Sequence, residues 1–154
     1  DDSQWFENIR DENGTLHHTF AALDQRTLGL TWRLDLILSP DASLQWYANP
    51  FISKGSYTRF RELGNPRSPR YEDRFQPWFA AEDPAGFNVK EFRSNAVFRW
   101  EYLPGSTLFL VWNQGRSRFD PRMGNTSFGE DVGDLFGQRA QDRFLVKVSY
   151  WWNR

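Results

Sequence analysis

The stretch TLGLTWRLDLIL, residues 27–38, decides the fold class of this chain. Every even-numbered position in it is apolar, whereas Ile37 is the one apolar residue at an odd-numbered position. Strict alternation places the two kinds of side chain on opposite faces of an extended strand, which no amphipathic helix would do. The mean strand of a soluble domain has about 5–6 residues. A strand that crosses hydrocarbon needs about 9–11 residues, so this segment is long enough.

Other stretches of the chain alternate in the same way. Strands are predicted at residues 16–23, 44–52, 92–102, 107–114 and 142–152, and a weaker one at 5–9. Pro, Gly, Asp and Ser, the residues that favour tight turns, occur at 39–43 and 103–106. Residues 61–91 and 115–141 show no usable periodicity and are expected to be long loops, with no helix of consequence.

Composition narrows the class of protein. With 154 residues the chain is expected to form a single domain. Nineteen Lys and Arg against 20 Asp and Glu give a net charge of −1, which argues against a nucleic-acid partner. There is no cysteine, and no apolar run is long enough for a transmembrane helix. The first residues, Asp-Asp-Ser-Gln, include no initiator Met or signal peptide, so a trimmed product is expected.

Aromatic residues make up 18% of the chain, although its mean hydropathy is −0.72. If the strands alternate up and down, one end of the sheet receives Trp46, Tyr47, Trp100, Tyr102 and residues 150–152. The other end receives Phe60, Phe92, Phe119 and Phe144. Two such rows are typical of the interfacial girdles of membrane barrels. The alternative is that they form the core, or a sugar-stacking platform, of a soluble β-sandwich.

The strands therefore present two faces. The face predicted to meet lipid contains Leu28, Leu30, Trp32, Leu34, Leu36, Phe98, Trp100, Leu108, Leu110, Val146, Val148 and Tyr150. The polar face, predicted to line a lumen, contains Arg33, Asp35, Gln45, Asn49, Arg93, Asn95, Arg99, Glu101 and Lys147. Its alternating charges fit a polar pore or a docked plug, but an ion-paired filling of a closed wall, or a solvated face, is the favoured interpretation.

The sequence predicts no catalytic, cofactor-binding or metal-binding residue. Adjacent strand residues point to opposite faces, so His17 and His18 cannot act as a simple pair. Two acidic groups, one at 72–73 and one formed by Glu130, Asp131 and Asp134, could bind a hard cation but lack calcium-loop spacing. Solvated loop charge is the favoured interpretation of both. No motif of an enzyme is present, although a missing motif does not exclude one.

Four stretches carry a resemblance to a known family: LDQRTLGLTWRLDLILSPDASLQWYANPF (23–51), ELGNPRSPRYEDRF (62–75), FRSNAVFRWEYLPGSTLFLVWNQGRS (92–117) and DLFGQRAQDRFLVKVSYWW (134–152). Together they resemble the C-terminal barrel-like domain of unknown function that follows a carbohydrate-binding module similar to family 9 in bacteria. The resemblance implies the outer membrane of Gram-negative-type bacteria and a longer parent chain that carries the sugar-binding module. It implies no activity and no catalytic residue.

The expected architecture is an all-β, antiparallel transmembrane β-barrel. Five clear strands and one or two weaker ones fall short of the eight of the smallest bacterial barrels. An open sheet in lipid would leave unpaired edge groups, so a C-terminal segment of a larger barrel, completed by missing chain or other subunits, is expected. Short turns 39–43 and 103–106 would face the periplasm, and the loops 61–91 and 115–141 the exterior.

The leading hypothesis for function is passage or capture of glycan-derived or other polar solutes. It comes from the resemblance and not from any motif. The expected partners are membrane lipid or lipopolysaccharide, the rest of the barrel and a glycan ligand. One alternative is a barrel that anchors, displays or secretes a surface domain, or assembles with copies of itself. The other is a soluble carbohydrate-binding β-sandwich.

Overall fold

The computed structural model describes residues 3–79, 86–121 and 126–152. These residues form eight strands, one α-helix and a short 3-10 turn at Glu72–Arg74. The helix, α1, spans Phe128–Gly137. The strands are β1 (Ser3–Arg10), β2 (Leu16–Gly29), β3 (Trp32–Ser39), β4 (Ala42–Leu63), β5 (Phe75–Pro77), β6 (Gly86–Leu103), β7 (Ser106–Asp120) and β8 (Gln141–Ser149).

The strands belong to one antiparallel sheet. Its hydrogen-bonded order is β1-β2-β4-β6-β7-β8, and β3 and β5 also pair with β4. Within the described part of the chain no ladder joins β8 to β1, so the sheet is open. The predicted antiparallel β architecture is therefore confirmed, while α1 makes the fold mostly β and not entirely β.

The stretch that decides the fold is divided between two strands. β2 ends at Gly29 and β3 begins at Trp32, so the single strand predicted at 27–38 is wrong. The chain stays beside β4 through the break, because the backbone N–H of Leu30 donates to the carbonyl of Pro50 at 3.0 Å. The amide of Asn49 also donates to the carbonyl of Leu30 at 2.6 Å.

Two hairpins have the tight turns that the sequence predicts. β3 and β4 are connected through residues 40–41 and pair from Trp32 opposite Ala48 to Ser39 opposite Ala42. β6 and β7 are connected through Pro104 and Gly105. Gly105 has φ 78°, a left-handed conformation that glycine adopts at no steric cost.

Both of the predicted long loops contain regular structure. β4 continues through Pro50 to Leu63, and β5 and β6 occupy other parts of 61–91. In the second region, β7 continues to Asp120 and α1 spans Phe128–Gly137. The expectation that the chain has no helix of consequence is therefore wrong. In β4 the consecutive residues Ile52, Ser53 and Lys54 are all buried, so both faces of the strand are packed there and period-two alternation gives no signal.

Packing divides the described residues into two compact units. Unit 1 comprises the described parts of 1–26, 53–88 and 120–126, and unit 2 those of 27–52, 89–119 and 127–154. In unit 1, Phe6 packs edge-on against Tyr57 and Phe60, with ring centroids 4.9 and 5.1 Å apart.

Unit 2 has a small core. Ala48 of β4, Phe92 of β6 and Leu135 of α1 are buried together, and Trp46 packs against them. Every residue predicted to face a lumen or lipid lies in this unit. Unit 2 therefore contains the residues of the candidate functional site.

Gly55 in β4 tests how closely unit 1 is packed. A Cβ at this position would lie 2.6 Å from the Phe87 ring and 2.7 Å from a Leu23 methyl carbon. Gly55→Ala is expected to reduce the free energy of unfolding by about 1–3 kcal/mol, the usual range for overpacking. Gly115→Ala is the matched strand control, because its Cβ would meet no atom within 4 Å. Urea unfolding followed by tryptophan fluorescence measures both, and equal stabilities would contradict the packing.

Candidate functional site

The registers of two strand pairs, β3 with β4 and β7 with β8, show that unit 2 has two distinct sheet faces. In β7 and β8, Leu108, Leu110 and Trp112 lie opposite Val148, Val146 and Phe144. In β3 and β4, Trp32, Leu34 and Leu36 lie opposite Ala48, Trp46 and Leu44. Directly paired residues share a face, so each of these sets forms a continuous apolar row.

The residues predicted to meet lipid are not buried. Leu28, Leu34, Phe98 and Leu108 are half-buried. The remaining eight are exposed: Leu30, Trp32, Leu36, Trp100, Leu110, Val146, Val148 and Tyr150. All nine residues of β8 are exposed, and its Phe144, Val146 and Val148 are 73%, 67% and 62% exposed. The described part of unit 2 thus presents an extensive uncovered apolar surface.

The aromatic rows are only partly as expected. Trp100 and Tyr102 form an edge-to-face pair at 6.1 Å, and the Tyr102 hydroxyl donates to the carbonyl of Ser149. Trp46 lies elsewhere on the sheet, since its indole N–H donates to Ser94 Oγ at 2.8 Å. The backbone N–H of Glu101 donates to the carbonyl of Asp41, in the turn that precedes β4, so Glu101 lies beside that turn and not beside Trp46. The prediction of one row containing both Trp46 and Trp100 is therefore wrong.

The helix α1 covers one part of the apolar face. It begins with a capping box in which Ser127 Oγ accepts from the backbone N–H of Glu130, and the Glu130 carboxylate accepts from the Ser127 N–H. Its Leu135 is fully buried against Ala48 and Phe92, and the Phe136 ring lies 5.0 Å from that of Phe92. Phe92, which the sequence assigned to an aromatic girdle, is instead a core residue.

Ion pairs hold α1 to the sheet. The buried ammonium of Lys90 lies 3.1 Å from Asp131 and 2.7 Å from Asp134, and Arg118 also bonds to Asp134 at 2.8 Å. The hydrogen bond from Lys90 keeps the pKa of Asp134 below the ordinary 3.8. In the second of the two acidic groups considered as cation ligands, Asp131 and Asp134 therefore pair with basic side chains. The described residues contain no group of three or more side chains suited to a metal ion.

The polar face carries the nine residues predicted to line a lumen, and they do not form one cluster. Arg99 pairs with Glu101 at 3.0 Å, and Arg93 with Glu91 at 2.9 Å. Arg33 lies 5.7 Å from the ring of Tyr47, and Lys147 lies 5.9 Å from that of Phe109. Asp35 lies opposite Gln45 on paired strands, and Asn49 bonds to the backbone at the β2–β3 break.

A groove of about 710 Å³ lies at this face. Asn95 donates to Asn113 Oδ1 at 2.5 Å, and Asn113 lies opposite Arg143, so these three side chains share a face. Tyr47 lies on the face opposite Trp46, which bonds to Ser94, and so joins the same set. The groove is lined by Tyr47, Arg93, Ser94, Asn95, Asn113, Gln114, Gly115, Gln141 and Arg143.

Only Arg93 and Asn95 of the predicted lumen residues line this groove. The sequence places Arg143 on the polar side of its strand but gives no reason to single it out. The sequence pattern does not identify Asn113 as a site residue, because the residues before it on the same face of β7, Phe109 and Val111, are apolar. The alternation of β8 could have identified Arg143, while the contribution of Tyr47 depends on strand pairing.

Unit 1 contains a separate polar cluster around His17. Its Nδ1 lies 2.5 Å from Glu62 and its Nε2 lies 3.6 Å from Asp11. His18 bonds instead to Asn8, in line with the prediction that the two histidines do not act together. The hydrogen bond to Glu62 raises the pKa of His17 above the ordinary 6.5, and the same bond lowers the pKa of Glu62 below 4.5.

This cluster makes stability depend on pH. The raised pKa of His17 means that its contribution is complete below pH 6.5 and is lost as pH rises through the folded-state value. The lowered pKa of Glu62 means that its contribution is present above pH 4.5 and is lost on further acidification. The cluster therefore stabilises the fold most at mildly acidic pH.

Glu62→Gln is expected to lower the pKa of His17, because the neutral amide no longer favours the imidazolium ion. Titration of the His17 ring by NMR measures the shift. Glu12→Gln, an exposed change in the same unit, serves as the control and should leave the titration unchanged. An identical His17 titration in both variants would show that the contact is absent in solution.

The sequence matches the family described as a domain of unknown function (DUF5916) over residues 3–153. The chain therefore belongs to that family, whose description gives no function. Comparison with curated proteins and with solved structures gave no match. Among the described residues, none of the helical structure is long and apolar enough to cross a bilayer.

Proposed function

We propose that this chain is part of a bacterial outer-membrane β-barrel whose apolar face meets lipid and whose polar face binds or passes a polar, glycan-derived solute. The observation that carries the proposal is the separation of the two faces in unit 2. An uncovered apolar row of β8 lies on one side, and the groove lined by Arg93, Asn95, Asn113 and Arg143 lies on the other.

Burial supports a lipid environment over a water-soluble β-sandwich. Among the described residues, six apolar side chains are buried, whereas 22 large apolar side chains are exposed. A sandwich buries the inner faces of two sheets against each other. Here exposed apolar residues of unit 2, such as Leu110 and Val146, lie in register along paired strands, where a bilayer would cover them.

Strand lengths fit a membrane of ordinary thickness. The proposed spanning segments are 32–39, 42–50, 94–103, 106–114 and 141–149, close to the about 9–11 residues that a tilted strand needs. Turns 39–43 and 103–106 then lie on the periplasmic side. α1 and the connections within 61–91 and 115–141 lie outside the cell, in contact with lipopolysaccharide. The core formed by Phe92 and Leu135 marks the outer limit of the lipid-facing surface.

The open edge at β8 implies partners. Unpaired backbone groups in hydrocarbon cost several kcal/mol each, so an open sheet does not remain unpaired in lipid. Further strands, from the rest of the parent chain or from other subunits, would pair with β8 and complete the barrel. The resemblance to a domain that follows a sugar-binding module supports a glycan as the solute.

A second candidate function is anchoring, and the contacts of the polar face favour it. Asn95 bonds to Asn113 at 2.5 Å and Arg99 bonds to Glu101 at 3.0 Å, so several polar side chains bond to one another. Such a filled interior would support a surface domain or an assembly of copies without passing a solute.

Adjacent residues of β8 test the lipid interface. Val146 lies opposite Leu110, Leu145 lies opposite Val111, and the two side chains are 67% and 60% exposed on opposite faces. Val146→Arg is expected to reduce the free energy of insertion by about 2–4 kcal/mol, the usual value at the bilayer centre. Leu145→Arg should have little effect, because its side chain faces away from lipid. The measurement is the folded fraction in vesicles, resolved by protease protection.

Equal losses in the two variants, or a monodisperse protein that unfolds identically with and without detergent, would contradict the membrane proposal. A soluble β-sandwich would give that result, since Leu145 and Val146 are exposed to nearly the same degree.

Entry of solutes separates the two candidate functions. Vesicles reconstituted with the protein should swell in neutral oligosaccharide solutions if the polar face lines a passage. Vesicles that stay impermeable, with the protein inserted and protease-protected, would support anchoring instead. Arg99→Gln, which removes an ion pair of the polar face, should increase the rate of swelling only if that face lines the passage.

A further inference from the structure

We propose that the groove of unit 2 binds an acidic saccharide, with Arg93 and Arg143 recognising its carboxylate. This proposal deepens the proposed function and rests on it, because it names the class of solute that the polar face would take. The groove's size, about 710 Å³, lies within the roughly 300–1,000 Å³ of typical ligand sites.

The charged side chains that line the groove and the depression beside it are mostly positive. A smaller depression of about 210 Å³ adjoins it and shares Arg93, Gly115 and Gln141. Among the described residues that line the two, Glu91 is the one carboxylate. The basic residues are Arg93, Arg116, Arg139 and Arg143. A chain with a net charge of −1 thus concentrates positive charge at one site, which favours an anionic ligand.

Arg143 is available to bind a ligand. It is exposed on β8 and lies opposite Asn113, with no ion pair to another side chain of the described part of the chain. A guanidinium group presents a planar fork of donors that matches the two oxygens of a carboxylate. Arg143 can therefore bind a carboxylate without breaking a contact within the fold.

Arg93 can bind the same carboxylate as Arg143, and weakening its existing ion pair with Glu91 would cost little free energy. Its bond to Glu91 is 2.9 Å long, but the two side chains are 74% and 37% exposed. Exposed ion pairs contribute only about 0–1 kcal/mol. The guanidinium also has five N–H donors, so a ligand carboxylate could bind while the contact with Glu91 remains.

Neutral groups in the same groove suit the hydroxyls of a sugar. The bond from Asn95 to Asn113 uses one donor and one acceptor, and each amide keeps further capacity. Gln114, Gln141 and the Tyr47 hydroxyl add donors and acceptors at the rim. An amide side chain can donate a hydrogen bond to a hydroxyl and also accept one from it, whereas a simple inorganic anion would need only the arginines. The combination therefore favours a saccharide that carries carboxylates.

The test compares hexagalacturonate with its fully methyl-esterified form, which has the same backbone without the charge. Calorimetric titration of the chain in detergent micelles is expected to show at least tenfold tighter binding of the acid, with a preference that falls at high salt. Arg143→Gln should weaken binding of the acid about tenfold, and the double change with Arg93→Gln should abolish the preference. Arg26→Gln is the control, because Arg26 is an exposed arginine of β2 in unit 1 and does not line the groove.

The outcomes separate this proposal from the proposed function. Equal binding of acid and ester, with loss in neither arginine variant, would overturn recognition of a carboxylate while leaving capture of a neutral solute intact. Citrate bound as tightly as hexagalacturonate would overturn the requirement for a saccharide. Binding of no oligosaccharide, together with vesicles impermeable to all of them, would overturn both proposals. Circular dichroism checks that each variant keeps its β-structure.

Discussion

Strand register is the constraint on which the rest of this structure depends. Side chains alternate with a period of two, so a shift by a single residue would move every apolar side chain of a strand to the polar face. The pairing of Leu110 with Val146, and of the neighbouring Asn113 with Arg143, fixes both faces of β7 and β8 at once. The apolar surface and the groove are therefore two consequences of the same hydrogen-bond ladder.

The helix α1 covers one part of the apolar face of the sheet and leaves the rest exposed. Leu135 buries Ala48 and Phe92, so part of the apolar face becomes a protein core while the remainder stays uncovered. The buried pairing of Lys90 with Asp131 and Asp134 then holds the helix in place, since separating buried charges from their partners is costly. This packing divides the apolar surface into a protein-covered part and the part that we propose meets lipid.

The groove also depends on the assembly of four strands. Tyr47, Arg93, Asn113 and Arg143 come from β4, β6, β7 and β8, and no local segment contains more than a fraction of the site. The arginines lie where backbone pairing places them beside amide side chains. A site of this kind changes its ligand preference by substitution at single strand positions, with the register of the sheet unchanged.

The sequence by itself determined that the chain is built of antiparallel two-faced strands, because alternation in residues 27–38 and around Phe98 and Val146 is a local property of the backbone. It also determined the tight turn at Gly105. The tertiary structure decided the break at Leu30, the helix that covers Phe92, the position of Trp46 beside Ser94 and the open edge at β8. These depend on which strands pair and at what offset, and contacts between residues distant in the chain leave no periodic signal in one sequence.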